Sequence, residues 1–168
     1  MNKTVLITGA SSGLGKDFAS LYAEKGYDLV LTARRESNLK SIASDLTSKY
    51  NISAAIIPAD LGEPQSPYKI FNFCEESNIK IDILINNAGY GLTGEFDKIS
   101  WEEHDTFINV LSTSAIALTR LFLPSMIDRK YGRVVNVSSV AAFAPYTNSG
   151  GMYIATKLML LKFSEMIH

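Results

Sequence analysis

At 168 residues, 46% hydrophobic and 20% charged, the chain is the size of one globular domain able to bury a real core, and a second full domain does not fit. A formal net charge of -1 offers no basic footprint for nucleic acid, and two histidines with one cysteine allow neither a metal-ligand spacing nor an intrachain disulfide. No apolar run appears long enough to span a bilayer, and no apolar leader follows Met1-Asn2-Lys3, so a cytoplasmic protein without membrane partners is expected.

The first element is the β-branched run Thr4 to Thr8, which leads into Gly9-Ala10-Ser11-Ser12-Gly13-Leu14-Gly15. Leu14, Phe18, Leu21 and Tyr22 then recur at helical spacing up to Gly26, so the reading is strand, tight turn, helix. A pyrophosphate approaches a helix N-terminus only where no Cβ intervenes and backbone N–H groups point outward. Gly9 suits the sharp turn, Gly13 the close approach of phosphates and Gly15 the packing of helix on strand.

Strands and helices then alternate. Leu29 to Ala33 reads as a strand, and Leu39, Ile42, Ala43, Leu46 and Tyr50 as a helix. Ser53 to Ala59 is a third strand, Pro64 opens a helix carrying Ile70, Phe71 and Cys74, and Ile81 to Ile85 is a fourth strand ending in Asn86-Asn87-Ala88-Gly89. Ser100 and Glu103 form a capping-box pattern before a long helix with Phe107, Leu111, Leu118, Leu121 and Phe122. Val134 to Val137 is the fifth strand, and a last helix begins near Met152. Continuous apolar strands separated by helices predict an α/β fold with a Rossmann-like, doubly wound parallel sheet in the order 3-2-1-4-5. Cys74 reads as a small core hydrophobe, Trp101 as a packing residue, and His104 and His168 as solvated.

In such a sheet ligands lie beyond the carboxyl ends of the strands. The end of strand 2 carries no acid to accept ribose hydroxyls. Ala33 stands there, followed by Arg34 and Arg35, and a guanidinium suits a 2′-phosphate better than a neutral diol. NADP is therefore preferred over NAD, with Arg34 the favoured contact; Arg35 reads equally well as a ligand or as a solvated charge. Tyr153 and Lys157 stand four apart, on one face of one helix, where a fixed ammonium beside a phenol favours the phenolate. Taken alone, such a pair is commonplace on helix surfaces, and Ser139 and Asn109 have equally ordinary readings as a turn residue and a helix surface residue.

Together, Thr8 to Gly15, Asp60, Asn86-Asn87-Ala88-Gly89, Asn109, Ser139 and Tyr153-Ile154-Ala155-Thr156-Lys157 resemble the short-chain dehydrogenase/reductase family in order and spacing, over essentially the whole chain. The resemblance implies that Tyr153 is the general acid-base, that Ser139 holds the substrate oxygen, that Lys157 binds the nicotinamide ribose and depresses the tyrosine pKa, and that Asn109 completes a proton relay through water. It places Asp60, with Leu61, at the adenine, and Asn87, Ala88 and Gly89 in support of the cofactor and the central sheet. The cradle contribution is Gly9, Ser11, Ser12, Gly13, Leu14 and Gly15. One extra residue separates Ser139 from Tyr153 relative to the usual interval, and Ser138 lies further still.

The expected activity is hydride transfer between NADP and a carbonyl or secondary alcohol of a small, largely uncharged substrate, since Tyr90-Gly91-Leu92 and Ala141 to Tyr146 offer apolar surface without a cationic clamp. The other class is a dinucleotide-binding sensor or interaction protein of the same fold without turnover. Family members continue with a sixth and seventh strand. The 168 residues are accordingly expected to be one Rossmann-type domain that is incomplete at its C-terminal end. They commonly pair through their fourth helix and tyrosine helix, here 101–129 and 152–168, so a homodimer or homotetramer is expected.

Overall fold

The computed structural model describes residues 2–143 and 152–167. Five strands, β1 (Thr4–Thr8), β2 (Asp28–Ala33), β3 (Ala54–Pro58), β4 (Ile83–Asn86) and β5 (Arg133–Asn136), form one parallel sheet in the order β3-β2-β1-β4-β5. The helices are α1 (Gly13–Glu24), α2 (Glu36–Tyr50), α3 (Ser66–Glu76), α4 (Trp101–Ile108), α5 (Ser114–Asp128) and α6 (Tyr153–Met166). The expected order of strands is the observed one.

Alternate residues of the central strands serve opposite faces. Val5, Ile7, Leu29, Leu31, Ile83 and Ile85 pack with Ala19 and Ala23 of α1 and with Leu39, Ile42 and Leu46 of α2. Leu6, Val30 and Leu84 point the other way, onto Ile70 and Cys74 of α3 and Leu118, Phe122 and Met126 of α5. Two cores back to back explain why these strands are apolar without alternation. The outer strands β3 and β5 are only partly buried.

Four local expectations are corrected. The third helix begins at Ser66 rather than Pro64, because the chain first turns through Glu63 N–H to the Asp60 carbonyl and Ser66 N–H to the Glu63 carbonyl; Pro67 then occupies the first helical turn, where its missing N–H leaves no helical bond unmade. The long helix is not uniform: a π turn, Asn109–Thr113, joins α4 to α5, with Ser114 N–H bonding the Asn109 carbonyl. His104 is buried, not solvated, because it falls on the same stripe as Phe107, Leu111, Ala115, Leu118, Phe122 and Met126. Its Nε2 lies 3.1 Å from the Phe96 carbonyl oxygen and its ring stacks against Phe96. Trp101, by contrast, is 71% exposed, at the helix tip beyond the core. His168 lies outside the described residues.

The segment Trp101–Asp128 is also long and apolar enough, by length and composition, to cross a membrane, contrary to the reading of the sequence. Its apolar stripe is occupied in the core of the sheet, which accounts for that composition. The capping box at its start is formed in full: Ser100 Oγ accepts from Glu103 N–H and the Glu103 carboxylate accepts from Ser100 N–H.

Candidate active site

A cleft of about 680 Å³ runs along the carboxyl ends of the strands. Its floor is the turn after β1. Gly9 has φ +67°, and a Cβ there would stand 2.9 Å from Ala88 Cα; at Gly15 a Cβ would overlap the Gly9 carbonyl oxygen. Those two clearances let α1 and the loop after β4 close on the same turn. Thr8 Oγ1 accepts from the N–H groups of Asn87 and Ala88 at 2.9 and 3.0 Å, while Asn87 Nδ2 donates to the Thr8 carbonyl at 2.9 Å. The loop after β4 is thereby fixed to β1, although about eighty residues separate them in sequence.

Gly9, Ser11, Ser12, Gly13, Leu14, Arg34, Arg35, Asp60, Leu61, Asn87, Ala88, Gly89, Tyr153 and Lys157 all line the cleft. Gly15, Asn109 and Ser139 do not line it. Gly15 lies behind the turn. Asn109 opens the π turn and directs its Nδ2 to the Gly62 carbonyl at 3.4 Å and to Asp105 at 3.3 Å, while its neighbour Val110 lines the cleft. The two arginines diverge. Arg35 donates through Nη2 to the hydroxyls of Ser11 at 2.9 Å and Ser12 at 2.7 Å, whereas Arg34 is largely exposed, 4.0 Å from Asp60.

Lys157 is 4% exposed, and its Nζ donates to the Val137 carbonyl at 2.8 Å. Burial pushes its pKa below the ordinary lysine value. The ammonium lies 5.8 Å from the centre of the Tyr153 ring, and that ring faces Phe107, which meets Tyr90 edge-on. Desolvation raises the Tyr90 phenol above its usual value.

At the end of β5 two serines have different duties. Ser138 lines the cleft, but its hydroxyl donates to the Lys157 carbonyl at 2.8 Å. Ser139 Oγ accepts from Ala141 N–H at 3.1 Å, and among the described residues its own hydrogen meets no acceptor. Ala59, Thr93, Val110 and Val137 also line the cleft and were not singled out in the sequence. Ala59 and Val137 directly follow strands, a signal that was available; Val110 carries none, because the π turn decides where it points. Of the apolar segment Ala141 to Tyr146, residues 144–146 lie outside the described residues.

A model of the short chain dehydrogenase family matches residues 3–168. The chain is 35% identical to the NADP-dependent 3-hydroxy acid dehydrogenase of Schizosaccharomyces pombe over 98% of its own length and 64% of that protein's. It is 34% identical to a serine 3-dehydrogenase of Rhizobium radiobacter, again over 98% and 64%. Among solved structures, a short-chain dehydrogenase from Sphingobium yanoikuyae in complex with NADPH superposes with a TM-score of 0.92 at 34% identity, over 98% of this chain and 64% of that one. A bulky-bulky ketone specific alcohol dehydrogenase from Comamonas testosteroni gives 0.92 at 32%, over 98% and 66%. The chain thus spans a little under two-thirds of the length of these curated relatives.

Proposed function

The chain belongs to the short-chain dehydrogenase family, and from that premise we propose that it is an NADP-dependent oxidoreductase acting on a carbonyl or secondary alcohol of a small, largely uncharged substrate, with Tyr153 as its acid-base. One observation carries the reading: Tyr153 and Lys157 border the same cleft as the glycine cradle, so a proton donor and a dinucleotide site share one space.

The residues present fit the dinucleotide. The turn at Gly9 and Gly13 is open for phosphates, Asp60 and Leu61 line the cleft and are the proposed contacts of the adenine end, and Arg34 supplies a cation for a 2′-phosphate while Arg35 braces Ser11 and Ser12 of the cradle. NADP, when bound, supplies or accepts the hydride. Tyr153 gives the substrate oxygen its proton in reduction and takes it back in oxidation. Lys157 offers an ammonium to the nicotinamide ribose and to the phenol. Ser139, whose hydroxyl hydrogen meets no acceptor among the described residues, donates a hydrogen bond to the substrate oxygen, and Asn109 serves a proton relay through water. Asn87, Ala88 and Gly89 hold the loop against which the nicotinamide half rests.

Tyr90, Gly91, Leu92 and Val110 wall part of the cleft with largely apolar surface, and this supports uncharged carbonyl compounds as substrates. The reading includes assembly through helices 101–129 and 152–168, supported by exposure of Ile127, Leu158, Met159 and Met166, and a cytoplasmic setting, supported by the single buried Cys74. NADPH consumption by the full-length protein against a panel of ketones and aldehydes tests the activity. Turnover that Tyr153→Phe abolishes is expected; tight NADPH binding without turnover on any member would favour a dinucleotide-binding protein instead.

A further inference from the structure

Hydroxyl groups on three neighbouring elements treat their helices differently. Ser114 Oγ donates to the Val110 carbonyl and Thr119 Oγ1 to the Ala115 carbonyl, each back-bonding four residues within its own helical run. Ser112, fully buried in the π turn, instead reaches out of its segment and donates to the Thr156 carbonyl of α6 at 3.2 Å. Ser138, at the end of β5, donates to the next carbonyl, Lys157, at 2.8 Å. Inside α6 both carbonyls already face the N–H groups of the following turn, so the helix does not need these extra donors to satisfy its backbone. They tie the turn between Tyr153 and Lys157 to the element that carries Asn109 on one side and to the strand end on the other.

We propose that Ser112 is a positioning residue: its buried hydroxyl fastens the π turn that begins at Asn109 to the turn of α6 that spaces Tyr153 from Lys157, and so sets where the phenol and the ammonium stand in the cleft. The inference rests on the oxidoreductase reading above. Ser112 touches neither substrate nor cofactor and acts through the α6 backbone. Its place in the π turn matters, because a π turn changes the phase of the residues that follow it relative to a continuous α-helix. A fully buried hydroxyl also needs a partner, and the bond of Ser112 to α6 meets that need.

The test compares full-length Ser112→Ala with Ser114→Ala, whose hydroxyl, among the described residues, bonds only its own helical run. Ser112→Ala is expected to lower kcat about tenfold, because loosened placement of reacting groups is expensive in rate. It should also move the pH profile of alcohol oxidation to higher pH, with NADPH Kd changed less than kcat. Ser114→Ala should lower Tm alone. Wild-type kcat and pH profile in a folded Ser112→Ala, with only Tm reduced, overturns the inference. If Ser112→Ala does not fold, Ser112→Cys, close in volume with a weak S–H donor, should show a smaller change in the same direction; unchanged kcat and pH profile in that variant overturns it equally. Lack of turnover by the wild-type protein, unlike either result, removes the oxidoreductase reading itself and the inference with it.

Discussion

Arg35 donates to the Ser12 hydroxyl at 2.7 Å across the mouth of the cradle, joining the loop after β2 to the turn after β1. Among the described residues its neighbour Arg34 makes no comparable bond and stands 4.0 Å from Asp60, an exposed pairing of little energetic consequence. One arginine therefore braces the cradle, and the other, largely exposed, is the proposed contact of a 2′-phosphate.

The two substitutions should separate. Arg34→Ala is expected to weaken NADPH by roughly ten- to a hundredfold, the loss of a charge-assisted contact of about 1.5–3 kcal/mol, and to leave NADH nearly unchanged. Arg35→Ala should weaken both cofactors, since it loosens Ser11 and Ser12 whichever dinucleotide is present. Titration of each variant with both cofactors decides, and equal NADPH and NADH affinities in the wild-type protein would remove the argument.

Tyr153→Phe should reduce kcat at least a hundredfold, the lower bound for positioned acid-base catalysis, and leave NADPH binding nearly intact. Retention of more than about a tenth of the activity would show that another group delivers the proton.

Lys157 gives a pH signature in both binding and stability. Burial lowers its pKa, so its ammonium is lost at a pH below that of an ordinary lysine, and cofactor affinity should fall across that range as pH rises. Lys157→Arg, charged throughout, should lack the fall. In the free protein the folded state releases this proton before the unfolded chain does. The contribution of Lys157 to stability therefore grows with pH from the lowered value up to the unfolded value near 10.5. Urea denaturation of wild type and Lys157→Met over that window measures the difference, and identical slopes would contradict it.

Cys74 is packed among Leu6, Ile70 and Phe122, and burial pushes its thiol up to about 12. It should resist an aromatic disulfide reagent at pH 8 in the native protein and react at once in denaturant. Between its unfolded value and about 12 the native state keeps a proton that the unfolded chain has lost, so this group's contribution to stability declines as pH rises through that range. Rapid labelling of the native protein would show that the α3 face of the sheet opens locally.

Light scattering on the full-length protein should give a dimer or tetramer at micromolar concentration, with Leu158→Glu and Met159→Glu shifting it toward monomer. Both side chains are substantially exposed on α6. A clean monomer in the wild-type protein would defeat the proposed assembly.

The sheet order, the two buried faces, the glycine turn and the capping box at Ser100 were legible in the sequence because each depends on residues close together or on a repeating period. Apolar runs punctuated by helices admit few arrangements once crossovers must be right-handed, and glycine at positions 9 and 15 answers a local steric demand. The buried face of α4 was equally available: His104 stands three residues before Phe107 on a stripe that continues to Met126. The polarity of an imidazole points to solvent, but its phase on the helix sets it on the buried stripe.

What tertiary structure decided are the contacts between segments far apart in the chain. The division of labour between Arg34 and Arg35 depends on how the loop after β2 meets the turn after β1, 23 or 24 residues away. The duties of Ser138 and Ser139 follow from which hydroxyl faces the Lys157 carbonyl, and the outward reach of Ser112 from a π turn that no side-chain pattern announces. A hydroxyl finds its partner by direction over about 3 Å, and that direction exists only after the helices have settled on the sheet.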